Sequence, residues 1–72
     1  KTIQYRIPLS FDKDEEVVKV VKTENNVSTV VYEATHSKDE KQLALNISGR
    51  GMVKVDVYFG DVLTYSQETE FK

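Results

Sequence analysis

Few side chains in this chain could run a reaction. Its 72 residues include one histidine and neither cysteine nor tryptophan. His36 is the only imidazole, in a polar run beside Ser37. Nucleophilic catalysis needs a base and a nucleophile that a third group orients in space, and sequence adjacency does not supply that geometry. His36-Ser37-Lys38-Asp39-Glu40 reads as a polar connector, so His36 is expected to be a solvated loop residue.

The carboxylates cluster at Asp12, Asp14, Glu15 and Glu16, and again at Asp39 and Glu40. A glycosidase sets two carboxyls across a cleft, one with a raised pKa. These lie in turn-compatible runs and are expected in water. The spacing of Asp12, Asp14 and Glu16 matches the start of a calcium loop, but the central glycine and the distal bidentate Glu of an EF-hand are missing. Gly49-Arg50-Gly51 reads as a fragment of a phosphate-binding loop, but such a loop needs more glycine and a following helix, so a tight corner is expected. Asn26-Val27-Ser28 and Asn46-Ile47-Ser48 fit the N-glycosylation pattern, which matters only in a eukaryotic secretory pathway. Of the four tyrosines, Tyr5 and Tyr32 are expected in the core, and Tyr58 and Tyr65 as a cross-strand pair. No catalytic, cofactor-binding or metal-binding residue is assigned, and no cofactor is expected.

The elements that would position these residues are strands. Ile3, Tyr5, Ile7, Leu9 and Phe11 alternate with polar residues, as do Val53, Val55, Val57 and Phe59. A period of two marks half-buried strands. Turn residues cut the chain into six. The first runs from Thr2 to Leu9, with Pro8 marking an edge because proline lacks the ladder donor. The second is Glu16 to Thr23, where four valines favour strand over the helical spacing of Val17, Val20 and Val21. Asn25-Asn26 suits a turn, and strand three follows from Val27 to Thr35 with apolar side chains on both faces. Strand four is Lys41 to Ser48, strand five Met52 to Phe59. Gly60-Asp61 is a two-residue hairpin turn, type II′ or I′. Strand six runs from Val62 to Gln67, with Glu68 to Phe71 as an extension. Six strands with turns at this spacing indicate one all-β domain over residues 1–72, a small sandwich or barrel.

Size and charge narrow the class. A chain this short buries only about 60% of its unfolded surface, so its core is thin. Net charge is −2, from ten Lys/Arg and twelve Asp/Glu scattered along the chain. No basic patch forms, which argues against nucleic-acid or anionic-membrane binding. No apolar run approaches the roughly 18 residues that span a bilayer. Opening on Lys1 rather than Met leads us to expect a piece excised from a longer protein.

The opening Thr2-Ile3-Gln4-Tyr5-Arg6-Ile7-Pro8, the valine-rich Val17 to Val21, the Asn break, Val31-Tyr32-Glu33 and the glycine-led finish from Gly51 to Phe71 together form a pattern. It resembles the C-terminal immunoglobulin-like domain that follows the PASTA repeats in transmembrane Ser/Thr kinases of Gram-positive bacteria. The resemblance implies a small immunoglobulin-like β-sandwich of about six antiparallel strands. It also implies a position outside the cell membrane, at the cell wall, in a kinase that senses peptidoglycan fragments. The kinase's glycine-rich loop, catalytic-loop Asp and Asp-Phe-Gly are absent from this chain, so no functional residue carries over. The expected role is a non-catalytic cap or interaction module. Its partners would be neighbouring PASTA repeats and peptidoglycan or another surface protein. The competing expectation is an adhesin-type or carbohydrate-binding β module of another bacterial surface protein.

Overall fold

The structure is a computed structural model that describes residues 1–72. Six antiparallel strands make two facing sheets, with no helix: β1 (Thr2–Pro8), β2 (Glu15–Glu24), β3 (Val27–Ser37), β4 (Gln42–Ser48), β5 (Gly51–Phe59) and β6 (Val62–Phe71). β1 pairs only with β4, and the larger sheet has the order β3-β2-β5-β6. An immunoglobulin-type sandwich has the strand order A-B-E-D in one sheet and C-F-G in the other, to which some members add C′ beside C. Here β1 and β4 take the B and E positions, opposite a complete four-stranded sheet. Nothing occupies the position beside β1 or the one beside β4.

The alternating residues build the core. Val18 and Val20 of β2 and Val53, Val55, Val57 and Phe59 of β5 are buried against Ile7 and Ile47 of the smaller sheet and Leu9 just beyond β1, with Phe71 closing one end. Each fully buried valine contributes about 1.5–3 kcal/mol relative to exposure. Pro8 stands in an edge strand, as its missing donor requires. Asn25 and Asn26 both take positive φ (52° and 64°), the signature of a type I′ hairpin. At the other hairpin only Gly60 is positive (φ 61°), which selects the II′ alternative over I′.

Two β-bulges set which side chains face inward. Val20 pairs with Tyr32 but Val21 with Val30, so Val31 is the extra residue. Val57 pairs with Tyr65 but Tyr58 with Leu63, so Thr64 is extra. Each bulge shifts the strand beyond it by one residue and turns it over. The first resolves the two apolar faces of β3: Tyr32, Ala34 and His36 face the core instead of Val31, Glu33 and Thr35. The second corrects the expected Tyr58–Tyr65 pair. In an unbulged hairpin Tyr65 would sit opposite Asp56, diagonal to Tyr58. With Thr64 inserted it sits opposite Val57 on the inner face, while Tyr58 stays outside.

Candidate functional site

His36 is where the structure departs most from expectation. It is the penultimate residue of β3, not a connector residue, and only 8% of it is exposed. Its Nε2 lies 2.7 Å from the Tyr32 hydroxyl and its Nδ1 2.6 Å from Glu40 Oε2. With Nδ1–H donating to the carboxylate, Nε2 accepts from the phenol, and both ring nitrogens are satisfied. The rings of Tyr32 and His36 also pack at 5.9 Å. Glu40 is held below the usual carboxylate range, first by the Ser37 backbone N–H at 3.1 Å and then by the His36 bond. This is a base with its orienting carboxylate, which is half of a catalytic constellation. The remaining half is missing: Ser37 Oγ accepts from Asp39 N rather than facing the imidazole. Neither principal cleft of the molecule is lined by Tyr32, His36 or Glu40. The cluster folds the β3–β4 turn back onto β3.

The other residues singled out from sequence disperse. Asp14 pairs with Lys38 at 3.4 Å and Glu16 with Lys13 at 3.7 Å, while Asp12 is exposed, so the three carboxylates do not converge. Gly49-Arg50-Gly51 is a corner: Gly51 has φ +74°, and a Cβ on Gly49 would lie 2.9 Å from Val53 Cγ2. The Arg50 backbone N–H donates to Glu24 at 3.0 Å. Asn26 and Asn46 are exposed. Tyr5 and Tyr32 pack against the core, as expected. Tyr58 is half-buried on the outer face, with Lys19 Nζ 5.1 Å from its ring centre. Beside it Asp56 is buried and accepts from Ser66 Oγ at 2.6 Å.

The feature that motif reading missed is a groove between β1 and β6. Its walls and floor come from Tyr5, Ile7, Val55, Val57, Tyr65 and Gln67, and Arg6 is the only charged residue along it. A second cleft continues it toward Ile3, Gln4 and Thr69. The groove exists because β1 lacks an outer neighbour. Tyr65 and Gln67 face the core side of β6, opposite Val57 and Val55, yet both are exposed. Only the Tyr65 hydroxyl crosses the gap, donating to the Pro8 carbonyl at 3.2 Å. Tyr5, which lines both clefts, has a buried hydroxyl without a partner. The signal in sequence was the failing alternation of β6: Tyr65, Gln67 and Thr69 occupy core-facing positions without one aliphatic residue among them. No protein-family model, curated protein or solved structure matches this chain.

Proposed function

We propose that this domain is a non-catalytic contact module on the outside of a bacterial cell. In the context the sequence resemblance implies, it caps the PASTA ectodomain of a wall-sensing Ser/Thr kinase and offers a surface to the wall or to another protein. One contrast supports this reading. The single imidazole has both nitrogens engaged in holding a turn, away from the principal clefts, while an apolar groove lies open along β1. A catalytic domain needs its base in the cleft.

The test is direct binding by the 72-residue protein. The labelled protein is pelleted with Gram-positive peptidoglycan sacculi, and titrated in an amide NMR experiment with a PASTA-repeat fragment. Saturable binding to either supports the surface-module reading. No binding to either, with capture of a defined oligosaccharide on a glycan array, replaces it with the carbohydrate-binding alternative. Turnover abolished by His36→Ala would overturn the non-catalytic reading altogether.

A further inference from the structure

The hydrogen-bond phase of β1 is fixed at both ends. Leu9 N–H donates to the Lys41 carbonyl and Gly49 N–H to the Lys1 carbonyl, each at 2.9 Å. In an antiparallel pair alternate residues exchange bonds with the partner strand. With Lys1↔Gly49 and Leu9↔Lys41 as bonded pairs, Ile3, Tyr5 and Ile7 also point their backbone groups at β4. Thr2, Gln4, Arg6 and Pro8 point theirs away. β1 thus presents three N–H donors, from Thr2, Gln4 and Arg6, and Pro8 ends the row by having no N–H. The Pro8 carbonyl is already taken by the Tyr65 hydroxyl. No side chain or backbone group of the protein bonds the N–H of Thr2, Gln4 or Arg6.

A free edge is by itself an ordinary liability. Here the space beside it is shaped. A strand added to β1 would lie about 4.8 Å away, over Val55, Val57, Tyr65 and Gln67. Side chains on its inner face would cover the exposed Tyr65 ring and the apolar floor. Side chains on its outer face would stand beside Gln4 and Arg6. The outer face of the small sheet carries Thr2, Gln4, Arg6, Gln42, Ala44, Asn46 and Ser48, so Arg6 is its one charge. Arg6 forms no ion pair with any carboxylate of the protein. A residue opposite Arg6 on the added strand shares its face, and its two neighbours point into the groove.

We propose that β1 accepts an extended polypeptide segment as a third strand of the smaller sheet, with a carboxylate opposite Arg6 flanked by aliphatic residues seated in the groove. Main-chain bonds to Thr2, Gln4 and Arg6 hold the segment, and the groove and Arg6 select its sequence. This rests on the reading of the domain as a contact module and names the partner's chemistry. A second copy of this chain fits worse. Its own β1 has Ile3, Tyr5 and Ile7 committed to its core, so it could match the edge but not fill the groove, and its Arg6 would approach the first. Neither principal cleft is lined by the opposite edge, on β4, and its Ser48 carbonyl already accepts from Lys22 Nζ at 2.8 Å.

The experiment titrates the isotope-labelled 72-residue protein with the peptide acetyl-Ser-Val-Thr-Val-Glu-Val-Thr-amide. Expected are saturable shifts and slowed exchange at the Thr2, Gln4 and Arg6 amides, with the Tyr65 ring shifting in parallel. A Lys-for-Glu peptide binds about fivefold more weakly, and Arg6→Glu inverts that ranking. Gln4→Pro removes an outward N–H without touching the β4 ladder and abolishes binding. Ala44→Pro, its counterpart on the β4 edge, leaves binding unchanged. Absence of shifts at millimolar peptide, shifts confined to β3 or β6, or binding retained in a folded Gln4→Pro overturns the proposal. So does self-association that protects the same three amides without peptide. If Gln4→Pro fails to fold, the Arg6 inversion decides. Peptide binding without sacculus or PASTA binding sinks the wall context alone. The converse sinks the edge site alone.

Discussion

The two ends of β1's world differ in how completely their polar groups are used. At the β3–β4 turn the His36 cluster is fully paired: imidazole with phenol and carboxylate, carboxylate with a backbone N–H. Along the β1–β6 side, three backbone donors, one guanidinium and a buried Tyr5 hydroxyl have none. The exposed amides and guanidinium can be met by solvent, so only the buried Tyr5 hydroxyl bears the cost of about 1–3 kcal/mol of an unpartnered buried group. The lesson is that the residues most suggestive of chemistry serve the fold, while unremarkable backbone on an edge strand carries the unfilled bonding capacity.

The comparison breaks most severely if the shared core is removed. Val55 is 3% exposed at the centre of β5 and touches the groove floor. Val55→Asp would bury a charge without a partner, so we expect a loss of more than about 4 kcal/mol and no cooperative thermal transition. An unchanged melting temperature would refute the placement of β5. The closed end is next. His36→Ala removes two hydrogen bonds and leaves a void under β3, for an expected loss of about 2 kcal/mol in urea unfolding. A change below a few tenths would mean that the histidine is the solvated residue its sequence context implies. On the open side, Tyr65→Phe deletes one partly exposed bond to Pro8, with an expected cost of about 0.5 kcal/mol. A cost comparable to that of His36→Ala would show the β1–β6 side to be as firmly closed as the turn.

The smallest effect is a pH dependence. A carboxyl depressed in the folded state stabilises the fold above its unfolded-state pKa, and that stabilisation is lost as pH falls through the folded-state value. Glu40 is depressed by the Ser37 N–H and His36, so it should make the protein more acid-sensitive. Glu40→Gln should flatten the decline of urea midpoints between neutral and acidic pH. A variant as acid-sensitive as the parent would mean that the carboxylate contributes nothing to holding the turn.

Much of this molecule was legible before its fold was known. The six strands and their turns follow from alternation, asparagine pairs and glycine, because those signals are local. Pro8 marked the edge because its missing donor is a property of the residue itself. The departures have two causes: β3 runs on through polar residues to Ser37 and takes in His36, and bulges reset which side chains face inward. Val31 and Thr64 each add a residue to one strand of a pair, and nothing in their chemistry announces it. A one-residue shift exchanges the faces, which settles the open choice in β3 on Tyr32, Ala34 and His36 and takes Tyr65 away from Tyr58 into the groove. The groove itself was hidden for a different reason. It arises from a strand position that no residue of this chain occupies, and an empty position leaves only an indirect trace, the polar core-facing residues of β6.

β1 is bonded on one side and open on the other, and amide hydrogen exchange on the protein alone reads this directly. Exchange should alternate along β1: Ile3, Tyr5 and Ile7 protected through β4, with Thr2, Gln4 and Arg6 exchanging at rates near those of an unstructured chain. Uniform protection of all six amides at low concentration, where self-association is absent, would contradict it.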